Sequence, residues 1–277
     1  MALLLAGCSA VKLAYNNLPD ITYWWIDGYA DLGEVQSVQL RNELARLQAW
    51  HRANELSPIA ELLQQIQRDA RSDTSAEAVC RFYDQLRTRL EPLRLQAEPA
   101  AVTLAMSLTQ AQVRHIEKRF EKGNAQWRHE WLEVDPAQRL EKQLKAALDR
   151  AEQFYGTLDE RQRAVLQAGL AGSGFDPQRS VRERLRRQQD LLQVLRTLGG
   201  SGGARPSATQ AGAALQGVLQ RFLQSPDPDY RSYAQAMTLQ ACRTWARLHN
   251  GTSAEQRERA IARVAAYERD ARELARQ

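Results

Sequence analysis

Residues 57–66 read Ser-Pro-Ile-Ala-Glu-Leu-Leu-Gln-Gln-Ile, and this short stretch is a clear guide to the fold. Its apolar side chains recur at the i, i+3, i+4 and i+7 positions that form one face of an α-helix; they are Ile59, Leu62, Leu63 and Ile66. Ser57 supplies a capping oxygen directly before Pro58, and proline suits the first position of a helix. The stretch therefore predicts an amphipathic helix that begins at this proline.

The same spacing recurs along most of the chain. It gives apolar helix faces in segments 79–93, 113–131, 140–154, 215–222, 233–248 and 261–274. Asp-Pro pairs at 135–136, 176–177 and 227–228 mark further helix starts. Pro92 and Pro99 are expected to break or kink the segment around them, and Gly199 is expected to end a helix. No segment alternates as a strand does, so the sequence predicts an all-α protein. We expect a multi-helix bundle of roughly ten helices with an extended, lipidated N-terminus.

A Gly/Ser-rich run divides the predicted helices. Residues 199–207 read Gly-Gly-Ser-Gly-Gly-Ala-Arg-Pro-Ser, a composition typical of a flexible linker. We expect a main helical domain at 34–198 before this linker. The C-terminal helices at 208–277 would follow it and pack on the main domain.

The composition excludes several classes of protein. The chain has 277 residues, of which 43% are hydrophobic and 26% charged, so it is neither collagen-like nor obviously disordered. No apolar run approaches the roughly 20 residues of a transmembrane helix. The net charge is +5, and arginines alternate with acids, as in Arg182-Glu183-Arg184. This pattern favours solvated helix faces, and we expect no nucleic-acid partner. The most basic stretch, residues 179–196, is interpreted as such a face, with binding to an anionic surface as the alternative.

The first cysteine stands in a distinctive context. Leu4-Leu5-Ala6-Gly7-Cys8, followed by Ser9, resembles the lipobox of a bacterial lipoprotein. The resemblance implies that residues 1–7 are the remnant of a removed signal peptide and that the Cys8 thiol carries diacylglycerol. The apolar stretch before the cysteine is shorter than a signal peptide requires, which suggests an earlier translation start. The alternative is an apolar N-terminus that merely packs or frays.

The other two cysteines form an even pair. If the chain is exported, Cys80 and Cys242 lie in an oxidising compartment, where a disulfide between them is plausible. Both also stand beside apolar positions of predicted helices. Two buried free thiols are therefore the alternative.

An aromatic cluster occupies the segment 8–33, directly after the lipobox cysteine. Its members are Tyr15, Tyr23, Trp24, Trp25 and Tyr29. Such rings could rest at the membrane interface, where an amphipathic side chain keeps one edge in water. They could instead pack into the helical body. We favour packing for Tyr23, Trp24 and Trp25, because consecutive tryptophans point to different faces.

These N-terminal features together carry a family resemblance. The lipobox cysteine, the run Ala14–Asn17, the run Tyr23–Tyr29 and a wholly helical remainder resemble the bacterial lipoproteins grouped as DUF6279, a family of unknown function. The resemblance covers the whole chain and implies an envelope lipoprotein held in the membrane by its N-terminal lipid. Ser9 after the cysteine would, by the usual sorting pattern, favour the inner leaflet of the outer membrane, facing the periplasm. The family supplies no activity, cofactor or catalytic residue.

Sequence motifs of catalysis are missing. The chain has no Gly-rich phosphate loop, no Cys-x-x-Cys pair and no nucleophile elbow. His129-Glu130 begins like a zinc-protease motif, but Glu133 stands where the second histidine ligand belongs. We therefore expect no metal, no cofactor and no enzymatic activity. A hydrolase that uses Glu130 and Glu133 is the weakest of the functional alternatives.

One recurring pattern suggests a different function. Leu108-Thr109-Gln110-Ala111-Gln112 matches the LTxxQ motif of the periplasmic helical chaperones Spy and CpxP, and residues 158–162 and 253–256 resemble it more loosely. The same residue types also form an ordinary capping box at a helix start. Our main expectation is a non-enzymatic structural or interaction protein of the envelope that contacts an unknown envelope protein or polymer. A Spy/CpxP-type chaperone is the alternative.

Overall fold

The computed structural model describes residues 10–199 and 206–277, and within them the chain is all-α, with thirteen helices and no strand. In chain order the helices are α1 (Ala10–Asn16), α2 (Leu18–Ala30), α3 (Glu34–Asn54), α4 (Leu56–Asp69), α5 (Ala76–Thr88), α6 (Leu90–Ser107), α7 (Gln110–Trp131), α8 (Pro136–Tyr155), α9 (Glu160–Ala171), α10 (Pro177–Leu198), α11 (Ala208–Leu223), α12 (Pro228–Asn250) and α13 (Ala254–Leu274). The predicted all-α multi-helix bundle is confirmed.

Three single-residue breaks raise the number of helices above the roughly ten expected from the hydrophobic pattern. They separate α1 from α2 at Asn17, α3 from α4 at Glu55, and α5 from α6 at Arg89. None of the three breaks contains a Gly/Ser loop, and the break at Arg89 lies within the periodic segment 79–93. The break at Arg89 precedes Pro92, which then lies in the first turn of α6, where proline is tolerated. Pro99 lies inside α6 without ending it.

The N-terminal segment differs from the extended conformation that we expected. Residues 10–30 form α1 and α2, and Pro19 lies in the first turn of α2. Proline at that position has no N–H to lose and its φ angle suits a helix. Residues 1–9 lie outside the described residues, as do residues 200–205 of the predicted linker.

Most of the predicted helix ends are where the sequence placed them. The Asp side chains at 135, 176 and 227 cap α8, α10 and α12, each followed by proline at the first position. Gly199 ends α10. The sequence predicts that a helix begins at Pro58. In the structure α4 begins two residues earlier, at Leu56, because only Glu55 separates it from α3.

The helices pack in two sub-bundles, and the chain alternates between them. The first sub-bundle contains α2, α3, α6, α7, α10 and α11, and the second contains α4, α5, α8, α9, α12 and α13. Each has a buried apolar cluster, the first including Val113, Ile116 and Leu195, the second including Leu166 and Leu248. Within the described residues the chain passes from one sub-bundle to the other five times.

The three helices that follow the predicted linker are distributed over both sub-bundles. Helix α11, which follows the predicted linker, packs against α6 and α10, whereas α12 and α13 pack against α5, α9, α4 and α8. The helices at 208–277 thus pack on helices of the segment 34–198 in both sub-bundles, and most buried residues of the two apolar clusters belong to that segment. A Gly/Ser-rich run marks a change in chain composition, which need not coincide with a boundary between cores.

Candidate functional site

Helix α2 carries an exposed apolar face just after the N-terminal cysteine. Leu18, Ile21, Trp24 and Trp25 fall within about 120° of the helix circumference at 3.6 residues per turn, and all four are exposed. Trp24 is 63% exposed and Trp25 is 65% exposed. The opposite face is buried through Tyr23 and Ala30. Helix α2 is therefore apolar on its outer side as well as on its inner side.

Tyr23 packs into the helical body as we predicted, but Trp24 and Trp25 do not. Tyr23 is 8% exposed, donates a hydrogen bond to Ser37 Oγ at 3.0 Å, and has the Arg41 guanidinium stacked 3.5 Å from its ring centroid. Trp24 and Trp25 point in different directions, as consecutive residues must, but the 100° between them is small enough to keep both on the outer side. The exposed face is therefore wide enough to hold both tryptophans.

The remaining two aromatic residues of the segment are partly buried. The Tyr15 hydroxyl lies 3.0 Å from His51 Nδ1, and burial raises the pKa of Tyr15 although Arg52 opposes the shift. Tyr29 lies between Trp25 and Phe120, at ring-centroid distances of 5.1 and 5.7 Å. These contacts connect the segment to α3 and α7. Cys8, the predicted lipidation site, lies outside the described residues.

A disulfide joins two distant parts of the chain. Cys80 on α5 and Cys242 on α12 are bonded, with their Cα atoms 5.6 Å apart and a sequence separation of 162 residues. Of the two arrangements open from the sequence, the structure has the disulfide. Helix α5 contains no buried residue of its own. The covalent bond and the packing of α12 along α5 therefore hold this helix in place.

The LTxxQ-like segments form two pairs of interlocked helix starts. In the first glutamine pair, Gln36 on α3 and Gln112 on α7, the side-chain amides bond to each other in both directions, at 3.3 and 2.7 Å. Each oxygen also accepts the N–H of its own N-cap residue, Gly33 or Thr109. The pair thus fastens the N-terminus of α3 to that of α7.

The second glutamine pair, Gln162 on α9 and Gln256 on α13, has the same arrangement. The two amides bond to each other at 2.7 and 3.0 Å, and their oxygens accept the N–H groups of Asp159 and Ser253. Gln162 is only 3% exposed. One glutamine pair therefore lies in each sub-bundle.

The equivalence of the two pairs extends to their backbone partners. In all four cases the glutamine amide donates to the carbonyl located two residues before the N-cap of the partner helix. These carbonyls belong to Ser107, Asp31, Gly251 and Thr157, at 2.9 to 3.1 Å. Buried amides with every polar atom satisfied make a rigid junction. Three of the four segments show the motif in the sequence. The fourth, Leu32-Gly33-Glu34-Val35-Gln36, does not, because Gly33 stands where the motif has a capping side chain.

The carboxylates of the hydrolase hypothesis lie on the surface near the end of α7. Glu130 accepts hydrogen bonds from Lys142 at 2.8 Å and from Gln126 at 2.9 Å, and these contacts lower its pKa. A general acid needs the opposite shift. Glu133 is exposed and pairs with His129 at 3.2 Å. Neither carboxylate is thus held in an environment that raises its reactivity.

His249 is a buried contact residue. Its Nε2 lies 3.0 Å from the Ser72 carbonyl, which can only accept, so Nε2 carries the proton and Nδ1 accepts from the Tyr155 hydroxyl at 3.0 Å. Burial lowers the pKa of His249 and raises that of Tyr155 to about 12. Both ring nitrogens are occupied, and the contact ties the turn after α4 to α8 and α12.

The basic stretch of α10 is largely engaged in ion pairs inside the first sub-bundle. Buried Glu183 accepts from Arg186 and Arg187 at 2.8 Å each, and Asp190 pairs with Arg221 of α11 at 2.7 Å. Burial raises the pKa of Glu183, but the hydrogen bonds from the two arginines outweigh it and the pKa lies below its usual value. These arginines join α10 to α11 and are only partly available to an external anion.

In 10–199 and 206–277, no group of three or more His, Cys, Asp or Glu side chains is arranged to hold a metal ion. None of the helices in the same ranges is both long and apolar enough to cross a membrane.

Comparison with known proteins gives one match. A family model described as a family of unknown function, DUF6279, matches residues 28–205. No curated protein and no solved structure matches significantly. The match is shorter than the whole chain, to which the resemblance had been extended, and it starts after Trp24 and Trp25. Because it nevertheless spans more than half of the chain, the protein belongs to the DUF6279 family.

Proposed function

We propose that this chain is a lipid-anchored, non-enzymatic structural or interaction protein of the bacterial cell envelope. The observation that carries the proposal is the disulfide between Cys80 and Cys242. Disulfides persist in oxidising compartments such as the periplasm and are rare in the cytosol. An exported chain whose first cysteine stands in a lipobox-like sequence fits a lipoprotein, and Ser9 favours the outer membrane, with the helical body facing the periplasm.

The proposed partners are the membrane and an envelope protein or polymer. The membrane is contacted through acyl chains on Cys8, each buried methylene contributing about 0.8 kcal/mol, so several chains hold the protein permanently. The helical body contacts an envelope protein or polymer. The capping glutamines and the ion pairs of α10 are used within the fold, which supports a rigid binding or bracing body over a catalyst.

Fatty-acid labelling tests the lipid anchor. Cells that express the full-length precursor, given a radioactive or clickable fatty acid, are expected to label the wild-type protein, and Cys8→Ser is expected to abolish the label. The reason is that Cys8 supplies the thiol that carries the lipid. Cys242→Ser serves as the control and should label normally. Equal labelling of wild type and Cys8→Ser would refute the anchor.

A chaperone of the Spy/CpxP type is the second candidate, and exposed apolar side chains on α5 and α6 favour it. Tyr83, Leu86, Leu90 and Leu95 are each about half exposed, where α5 of the second sub-bundle is followed by α6 of the first. Apolar side chains held open to solvent can shield an unfolded client. This surface, together with the motif at Leu108–Gln112, motivates the chaperone hypothesis.

An aggregation assay tests the chaperone hypothesis. Purified protein at near-equimolar amounts should suppress the light scattering of a chemically denatured client. The double variant Tyr83→Ser/Leu86→Ser should lose most of that suppression, because it removes two of the exposed side chains. Val35→Ser/Val38→Ser, which alters exposed side chains on α3, is the matched control. Absence of suppression by the wild type would end this hypothesis.

A further inference from the structure

The outer face of α2 points to a second contact with the membrane. We infer that Leu18, Ile21, Trp24 and Trp25 lie against the surface of the bilayer in which the acyl chains of Cys8 are embedded. The inference rests on the proposed lipid anchor and deepens it, because it assigns the side of the helical body that faces the lipid. The partner is the lipid interface itself, where apolar side chains meet the headgroups.

The distribution of exposed apolar side chains supports this assignment. Half of the strongly exposed large hydrophobic residues of the described chain lie in its first helices. They are Val11, Leu13, Leu18, Ile21, Trp24, Trp25, Val35 and Val38. Exposed apolar side chains scattered singly need no explanation, but a concentrated group marks an interaction surface. This group is concentrated next to the proposed site of lipid attachment.

The chemistry of the face suits a lipid interface. An indole ring combines a large apolar body with a single N–H donor, and tryptophan is enriched where membrane meets water. Leu18 and Ile21 extend the apolar area along the same side of the helix. The flank of the face is polar, with Asp20 paired to Arg41 at 2.8 Å. This ion pair lies at the edge of the face, where its charges can stay in water while the apolar side chains meet lipid.

The position of α1 keeps this face close to the anchor. Helix α1 is seven residues long, which corresponds to about 10 Å. In the sequence Cys8 stands two residues before α1, and two residues of chain can span at most about 7 Å. Helix α1 is also fastened to the body, since Lys12 pairs with Glu273 of α13 at 2.6 Å and Tyr15 contacts His51 of α3 at 3.0 Å. A lipid at Cys8 therefore brings the body to the bilayer on this side.

Vesicle binding by a chain that cannot be acylated tests the inference separately from the anchor. The full chain with Cys8→Ser is mixed with vesicles of phosphatidylethanolamine and phosphatidylglycerol, and the bound fraction is measured by flotation. Trp24→Ser/Trp25→Ser in the same background should lower the partition coefficient at least about tenfold, because the indoles supply most of the apolar area. Phe222→Ser/Leu223→Ser removes two apolar side chains of α11 that are each 48% exposed, and this control should bind as the parent does.

Tryptophan fluorescence separates insertion of the indoles into lipid from an effect of the substitutions on folding. Brominated lipid should quench the tryptophan fluorescence of the Cys8→Ser chain. Trp24→Phe/Trp25→Phe should keep vesicle binding within about threefold, since phenylalanine preserves the apolar face, and should lose most of the quenching.

Unchanged binding of the serine variant, with an unchanged melting temperature, would overturn the inference. So would a dimer of the parent chain that the serine variant abolishes while vesicle binding stays the same, because a second copy would then be the partner. Failure of fatty-acid labelling would instead refute only the anchor.

Discussion

Removal of the disulfide with Cys80→Ala/Cys242→Ala is expected to lower the free energy of unfolding by up to about 5 kcal/mol. The bond closes a loop spanning 162 residues of sequence, and the loss of chain entropy in the unfolded state grows with the logarithm of loop length. The effect concentrates on α5, which has no buried residue of its own. Urea unfolding of both proteins, followed by circular dichroism, measures the difference.

Cys8→Ser is the matched control for this measurement, because it removes a thiol without touching the disulfide. It should unfold at the same urea concentration as the parent chain. Addition of dithiothreitol should lower the midpoint of the parent and leave the alanine double variant unchanged. An alanine double variant as stable as the parent would show that packing of α12 along α5 holds the helix without the bond.

Gln162→Ala is expected to lower the free energy of unfolding by about 2–4 kcal/mol, the second largest effect. The substitution removes the acceptor for the Asp159 N–H, the donor to the Gly251 carbonyl and two hydrogen bonds with the Gln256 amide, which keeps its bond to the Thr157 carbonyl. Each of these hydrogen bonds contributes about 0.5–1.5 kcal/mol. Thermal or urea unfolding of the full chain measures the loss.

The capping box of α11 provides the control for Gln162→Ala. Gln210 accepts the N–H of Ser207 just as Gln162 accepts that of Asp159, but it is exposed at the surface. Gln210→Ala should therefore cost only about 0.5–1 kcal/mol, as loss of a cap does. A double-mutant cycle of Gln162→Ala and Gln256→Ala should be non-additive by about 0.5–3 kcal/mol. Additive losses would mean that the two helix starts are capped independently.

Local features of the sequence predicted the helices well. The Asp-Pro pairs at 135–136, 176–177 and 227–228 begin three helices, and Gly199 ends another, because capping depends on neighbours within one turn. The single-residue breaks were predicted less precisely: those at Glu55 and Arg89 lie a few residues before the predicted start at Pro58 and the predicted break at Pro92, and the break at Asn17 was not predicted. Glu55 and Arg89 are not residues that usually end a helix, and their conformation is set by the helices that pack around them.

Features that depend on residues far apart in the sequence could not be predicted from local patterns. The Thr109–Gln112 capping box was identified, but its pairing with Gln36 joins residues 76 positions apart and includes a glycine N-cap that no motif indicates. Likewise, we favoured burial of Trp24, but α3 and α7 cover only the Tyr23 side of α2 and leave the indole exposed. Burial is a property of the assembled sub-bundle.

The alternation of the chain between its two sub-bundles has a consequence for synthesis and for truncation. Helices α4 and α5 are synthesised well before their partners α13 and α12, so the contacts that close the second sub-bundle form only after those later helices have been made. The region matched by the family model ends at residue 205 and leaves both partners out. A fragment cut at that boundary would expose the inner faces of α4 and α5, and an expression vector should extend through Leu274.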